Sequence, residues 1–487
     1  MGMGAVEHIM QSNGGIATFE MARQAPIKTC ESGPVAGVIG AAVIGDLLDE
    51  PNVISLDIGG TTVKSSLVEN GVPRITTDYK IEYRRDWEGY PVKVPTVDIV
   101  EIGAGGGSIA WIDKAGSLRV GPVSAGAVPG PACYDAGGEK PTVTDANLVV
   151  GRINPDYFLG GEIKVSMDKA RQSMQGIADF FGMSIEGAAM GVIRLADANM
   201  VNALKLVSVR RGYDPREFTL VAFGGGGSMH AAALARELRV KRILVPTAPA
   251  VFSAWGMLMA DLRNDYIRTM VVGTDHIKPA QLSGIFAEME REAAEELAAE
   301  RVETDVPTEL ATVFQRFADM RYMGQEHTVK VPIPGGKLTE KDVAEINERF
   351  HQLHDHAYTF RLESPIELVN FHLTALGQVE KPEITRLNRD AARTVEEAYK
   401  GDRQVIFDEG FLATPTYERD LLPAGTTLSG PLIVEEPAAT TVVFPEQRLC
   451  VDEYGFLHIE GPPPPLPPSV PPRGGEEEGG RRRGEEE

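Results

Sequence analysis

The sequence predicts an α/β domain over residues 1–265, a mixed α+β domain over 266–380, a β-rich C-terminal domain over 381–460 and a disordered tail over 461–487. Three observations carry this reading. The first 265 residues are rich in glycine and in short apolar runs, the pattern of strands alternating with helices. Residues 381–460 hold many strand-like segments and turn signals, such as Pro423-Ala424-Gly425, with little helical periodicity. From Gly461 the composition collapses into prolines and then Glu, Arg and Gly, with no apolar side chain other than proline after Val470. Such a segment cannot bury enough surface to offset its ordering entropy. Deleting residues 461–487 should therefore leave the melting temperature essentially unchanged, and a drop of several degrees would show that the tail packs on the fold.

The elements follow in order. Val53 to Val68 reads as an apolar strand, a Gly59-Gly60-Thr61-Thr62 turn with Asp57 at its entrance, and a second strand. Two glycines let the backbone turn tightly and leave no Cβ to block an anion. Successive N–H groups in such a turn form a phosphate nest, the threonines add hydroxyls, and Asp57 is placed to hold hydrated Mg²⁺ or orient a nucleophile. An ordinary glycine-turn hairpin explains the same residues. Residues 187–211 carry the clearest helix, with Ile193, Ala196, Met200, Leu204 and Val207 on one stripe and Gly212 as its stop. The strand-like run from Thr219 then meets Gly224-Gly225-Gly226-Gly227, and a helix opens that runs to Leu238. A glycine run between a strand and a helix N-terminus suits close approach of a nucleotide. Arg242–Val245 reads as a buried strand stopped by Pro246. A very acidic helix is expected over 286–300, exposed on most of its circumference, then strands over 314–331 and 367–378 around a helix over 340–356.

Composition bounds the function. A chain of 487 residues has room for two or three domains, and a net charge of −22 argues against nucleic acid or an anionic membrane surface as partner. Cys30, Cys133 and Cys450 are an odd, widely spaced set, which indicates neither a disulfide framework nor a zinc site. No apolar run approaches bilayer-spanning length, and residues 1–20 lack the basic and apolar regions of a signal peptide. The cytoplasm is the expected compartment.

The phosphate-binding G-x-x-x-x-G-K-[ST] pattern is absent, and neither Gly103–Ser108 nor the tetraglycine run completes G-x-G-x-x-G. An acid–x–Gly–Gly–Thr hairpin followed far downstream by strand, glycine run and helix instead resembles the phosphate and adenosine motifs of actin-like ATPases. The likeness narrows through Glu31-Ser32-Gly33-Pro34-Val35-Ala36-Gly37, the Asp57 turn, Glu101-Ile102-Gly103-Ala104-Gly105-Gly106-Gly107-Ser108 and Pro129-Gly130-Pro131-Ala132-Cys133-Tyr134. It continues through Pro141-Thr142-Val143-Thr144-Asp145-Ala146-Asn147, Gly212-Tyr213-Asp214-Pro215, Asp319-Met320-Arg321-Tyr322 and Gly430-Pro431-Leu432-Ile433-Val434-Glu435-Glu436. In this order the segments resemble the ATP-dependent hydantoinase A / 5-oxoprolinase family, which includes acetone and acetophenone carboxylase subunits. The resemblance implies an actin-like (ribonuclease H-like) α/β ATPase domain. It also implies ATP and Mg²⁺ as cofactors, a cyclic amide such as hydantoin or 5-oxoproline as substrate, and a hydantoinase B-type partner subunit. Family members begin with a separate lobe carrying another such turn. Because this sequence has no counterpart to it, the domain is expected to lack its first lobe, and the chain alone is expected not to turn over ATP at a useful rate.

Asp57 is the first candidate, as catalytic residue and metal ligand, with turn capping as its ordinary alternative. Gly59, Gly60, Thr61, Thr62 and Gly224, Gly225, Gly226, Gly227 are the candidate nucleotide-binding residues. Lys64 reaches a phosphate or lies as a solvated strand residue. Glu101, with Asp98, is a candidate for the substrate or metal side of the cleft, against a reading as a strand-end acid. Asp145 is a lesser catalytic candidate, because Thr144-Asp145 also reads as a plain helix N-cap. His230 opens the helix after the glycine run, near where adenine or ribose belongs, or packs at the helix end. Cys133 has no basic partner nearby and reads as structural. His351, His354 and His356 lack the surroundings of a metal site. A ketone carboxylase subunit, a sugar-kinase-type enzyme and a non-catalytic scaffold remain the alternatives.

Overall fold

The computed structural model describes residues 7–77, 79–81, 87–304, 311–387 and 393–461. The expected tail over 461–487 thus falls, from residue 462 on, outside the described residues. Three sheets dominate. The largest has nine strands, and its centre is parallel: Thr219–Phe223 lies between Val53–Ile58 and Arg242–Val245. Every residue of Thr219–Phe223 is buried, as a strand covered by helices on both faces must be. Val63–Glu69 and the edge strand Val100–Ile102 extend this sheet on one side, both antiparallel.

On the other side the sheet continues into the far end of the chain. Leu457–Glu460 pairs with Arg242–Val245, Arg448–Val451 follows, and Thr427–Ser429 closes the row. A four-stranded sheet, Tyr399–Phe407, Gly410–Glu418, Leu432–Glu436 and Ala439–Val443, packs into the same hydrophobic core as Ile54, Leu56 and Ile58. The expected boundary near 380 is therefore crossed by strand pairing and by the core. Periodicity reads elements one at a time and carries no information about which distant strand completes an edge.

The third sheet has six strands, formed mainly by Leu262–Gly273, Thr312–Tyr322, Val329–Ile333 and Ile366–Gly377. The helices Pro279–Thr304 and Glu340–Tyr358 cover one face. Phe286, Phe350 and Phe371 are fully buried there. The short N-terminal strands His8–Met10 and Ile16–Thr18 join this sheet through Leu262 rather than the nine-stranded one. The acidic helix is longer than the sequence suggested. Its buried stripe of Leu282, Phe286, Met289, Ala293 and Leu297 shows why charge density alone understates burial.

Several local expectations hold. Ile185–Val207 buries Ile193, Ala196, Met200, Leu204 and Val207, is capped by Ser184 and gives way to a short 3-10 turn. Gly212 then takes φ 85°, a left-handed value that glycine adopts without strain. Among the described residues no single helix is long and apolar enough to cross a membrane.

Candidate active site

The site grows from the C-terminal ends of two parallel strands, where α/β sheets place ligands. Val53–Ile58 sends Ile54, Leu56 and Ile58 into one core and Val53 into another, so Asp57 falls on the Val53 face. The chain then turns at Gly59, whose N–H donates to the Thr62 carbonyl at 3.1 Å, and returns as Val63–Glu69. Thr219–Phe223 ends beside it in the tetraglycine run. Gly224 takes φ 77°, and a Cβ there would lie 2.4 Å from Asp57 Oδ1 and 2.5 Å from the Ile58 carbonyl oxygen. The Gly226 N–H donates to that same carbonyl at 2.9 Å. Thus the two glycine turns are bonded together, and Gly224 is glycine because the strand end beneath it leaves no room.

The 103–108 loop lies edge-on against the first turn. Gly105, Gly106 and Gly107 donate to the carbonyls of Thr61, Gly59 and Gly60. A Cβ on Gly105 would come within 2.6–2.8 Å of three backbone atoms of that turn. Thr144 ties in a third loop, its N–H and hydroxyl both donating to the Gly106 carbonyl at 2.8 and 2.9 Å.

Gly59 and Gly60 differ from these glycines. Neither has a positive φ; a Cβ on Gly60 would meet nothing within 4 Å, and one on Gly59 only the Thr62 carbonyl oxygen at 3.8 Å. Gly225 is nearly as open, with only the Ala438 carbonyl oxygen at 3.5 Å. The fold does not demand glycine at these positions, yet all three face a cavity of about 240 Å³. The same cavity meets the start of the Gly227–Leu238 helix, which no side chain caps. Its first-turn N–H groups supply donors for an anion. Tyr157, Phe158 and Pro437, with Met229 from the helix itself, give the cavity apolar lining. This combination of backbone donors, open glycine surface and apolar lining fits a nucleotide.

Asp57 has no hydrogen-bond donor among the described residues. Burial pushes its carboxyl above the usual carboxylate range, with the Lys64 charge opposing the shift. Strand register sets Asp57 opposite Lys64 and Lys64 opposite Glu101 on one sheet face. The Lys64 ammonium is 3.0 Å from Glu101 Oε1 and also donates to the Thr62 hydroxyl. An acid–base–acid row therefore flanks the turn. Asp57 adjoins Gly224 of the tetraglycine run, but Asp57, Lys64 and Glu101 all stand beside the glycine-lined cavity rather than in its wall. Thr61, Thr62, Gly224 and Gly227 likewise do not line it. An unpaired carboxylate at the strand end fits Mg²⁺ through bound water.

Asp145 is corrected to a structural position. It is fully buried, and its carboxylate accepts from the N–H groups of Ala132, Cys133 and Thr142 and from the Thr142 hydroxyl. Thr142 is the N-cap and Asp145 the third residue of a reciprocal capping box. Each buried donor left unpaired costs about 1–3 kcal/mol, so Asp145→Ala should lose at least ~3 kcal/mol in urea unfolding. A near-neutral result would contradict this role. The neighbouring Cys133 thiol is buried, and desolvation together with Asp145 raises its pKa far out of the nucleophilic range.

His230 is almost fully buried. Its Nδ1 lies 2.6 Å from Asp197 and its Nε2 3.3 Å from the Asn147 amide, so it lines the cavity with both ring nitrogens engaged. His354 contacts the Phe360 carbonyl and Gln325, His351 contacts the Tyr322 hydroxyl, and no described group of acids, His and Cys is arranged for a metal.

The cavity also contains residues the sequence reading did not select. Glu435 is buried and pinned by Lys400 at 2.7 Å and Arg403 at 2.8 Å, which hold its carboxyl below the usual range. Beside it, burial pushes Glu436 up to about 7, with Arg419 opposing. The signal was present as two consecutive acids closing the apolar run Leu432–Val434.

The hydantoinase/oxoprolinase pattern matches residues 4–266, and the hydantoinase/oxoprolinase C-terminal domain matches 274–461. The chain belongs to the hydantoinase/oxoprolinase family. It is 33% identical to the caprolactamase alpha subunit of Pseudomonas jessenii over 91% of this chain and 63% of that one. It is 34% identical to the acetophenone carboxylase gamma subunit of Aromatoleum aromaticum, over 89% and 59%. An uncharacterized protein of Methanocaldococcus jannaschii is 40% identical, over 93% and 65%. The chain spans about three-fifths of the length of the curated relatives it matches. In structure it resembles the ATP-dependent caprolactamase of Pseudomonas jessenii, with TM-score 0.82 and 31% identity over 93% of this chain and 65% of that one. It also resembles an acetone carboxylase solved without nucleotide, with TM-score 0.75 and 26% identity over 95% and 65%.

Proposed function

We propose that this family member is the ATP-using subunit of an enzyme that activates a cyclic amide for ring opening. The carrying observation is Gly59, Gly60 and Gly225, glycines at positions where the fold leaves room for a side chain, which line one cavity together with the uncapped start of the Gly227–Leu238 helix. In this reading the apolar lining takes the adenosine. At about 240 Å³ the cavity is smaller than the ~300–1,000 Å³ typical of ligand sites, so the phosphates run outward over Gly60. Asp57 orients Mg²⁺ and water, and the turn's N–H groups neutralise charge on the transferred group. When bound, ATP would supply its γ-phosphoryl group to the amide oxygen, with ADP as the leaving group, and so open the poorly electrophilic carbonyl carbon to attack by water. Ring opening then falls to a hydantoinase B-type partner, within a cytoplasmic hetero-oligomer built on an actin-like ATPase fold. Support comes from the caprolactamase and 5-oxoprolinase relatives.

A second reading, phosphorylation of a ketone by a carboxylase subunit, draws support from the equally similar acetophenone carboxylase gamma subunit. ADP release separates the two. The chain with a B-type subunit is assayed with hydantoin, caprolactam or 5-oxoproline, and in parallel with acetone or acetophenone plus bicarbonate. Stimulation by a lactam is expected, and stimulation by ketones alone would overturn the cyclic-amide assignment.

A further inference from the structure

We propose that Glu435 reads the base of the nucleotide by accepting a hydrogen bond from its exocyclic amino group, and that Lys400 is the positioning residue that holds Glu435 and Tyr157 for this task. The inference rests on the ATP reading above and names what in that cavity selects a 6-aminopurine over a 6-oxopurine. Glu435 and Tyr157 both line the cavity, and Lys400 does not. The Lys400 ammonium lies 2.7 Å from Glu435 Oε2 and 3.5 Å from the centre of the Tyr157 ring. It also lies 2.9 Å from Glu418. Strand pairing explains its place. Glu418 and Glu435 stand opposite each other on parallel strands, and one cation between them offsets the repulsion of two like charges. The same ammonium thereby fixes two residues of the cavity lining, an aromatic ring and a carboxylate.

The remaining hydrogen-bonding capacity points to a donor on the ligand. Glu435 Oε1 accepts from Arg403 at 2.8 Å, and Oε2 takes Lys400 and, at 3.4 Å, the Asn154 amide. A carboxylate offers about four acceptor positions, so among the described residues Oε1 keeps one to spare. The amides in the lining are spent. Asn154 Oδ1 accepts from the Asp156 N–H, and Asn147 is shared between the Val143 carbonyl, His230 and Arg152. Glu436 is pushed up to about 7 by burial and so is not a constant acceptor at neutral pH. Burial opposes the charge on Glu435 too, but Lys400 and Arg403 keep its carboxyl below the usual range. Adenine stacks on an aromatic face and donates from its 6-amino group. Inosine carries a carbonyl oxygen at that position, which sets acceptor against acceptor and leaves Glu435 unmet, and a polar site discriminates against such an analogue.

The test is calorimetry of the chain with Mg²⁺ and either ATP or inosine triphosphate. The unaltered chain should bind ATP at least about tenfold more tightly than inosine triphosphate. Glu435→Gln should remove the preference, because an amide presents a donor as readily as an acceptor. Lys400→Met should cut the ratio about threefold, and Lys400→Arg should restore it. A purely structural role for Lys400 would weaken both nucleotides by the same factor, and that outcome would overturn its assignment as a positioning residue. Equal binding of the two nucleotides by the unaltered chain would overturn the proposal while leaving the ATP reading in place, as would a preference that survives in Glu435→Gln. Absence of binding by either nucleotide would overturn the ATP reading and this inference with it. The comparison on the unaltered chain decides the matter even where a variant fails to fold.

Discussion

Gly60→Val is expected to weaken binding of Mg-ATP by at least about 100-fold, ~2.7 kcal/mol, while leaving the melting temperature nearly unchanged. The two halves of this expectation have separate causes. A side chain at residue 60 meets no protein atom within 4 Å, and the backbone there is not left-handed, so the fold tolerates it as an exposed substitution. The same space is where the phosphates would approach the turn. Gly224→Val is the contrast, because φ 77° and contacts at 2.4–2.5 Å make that position intolerant of any Cβ. Calorimetry and thermal melting on both variants measure the two effects. Unaltered nucleotide binding in Gly60→Val would remove the phosphate turn from the site.

Asp57→Asn is expected to lower Mg²⁺-dependent turnover about a hundredfold and at the same time to stabilise the protein at neutral pH. Burial raises the Asp57 pKa above its unfolded value. A group raised in this way contributes stability that is fully present below the unfolded pKa and is lost as pH rises through the folded one. At neutral pH the charged carboxylate is therefore a burden on the free protein, of the kind active sites carry for function. The Asn variant should melt higher at pH 7, and the difference should shrink as pH falls below the ordinary carboxylate range. A variant that melts lower at pH 7 would show that Asp57 is a structural cap.

The parts legible in the sequence are those with local causes. The hairpin at Asp57, the strand–glycine–helix unit at 219–238 and the stripe from Ile193 to Val207 each depend on residues close in the chain. The role of Asp145 was half legible: a capping signal was visible, but not that Ala132 and Cys133 spend the same carboxylate. The cavity wall from Tyr157 to Leu159 and from Glu435 to Thr440 was not legible. It depends on the C-terminal strands folding back over the glycine turns, and that long-range closure leaves no periodicity in either segment. Whether a glycine serves the fold or an open surface was also hidden, since Gly60 and Gly105 read alike until their neighbours are known.

The central claim is that a nucleotide base lies against the apolar lining of the glycine-lined cavity, and photo-labelling with 8-azido-ATP tests it most directly. Irradiation in the presence of Mg²⁺, followed by peptide mapping, should place the label within 153–159 or 435–440 and lose it when excess ATP competes. Saturable, ATP-competed labelling of Arg74, Thr76, Tyr79 or Lys80, which line a separate cavity, with the 435–440 segment unlabelled, would contradict the assignment of the nucleotide site.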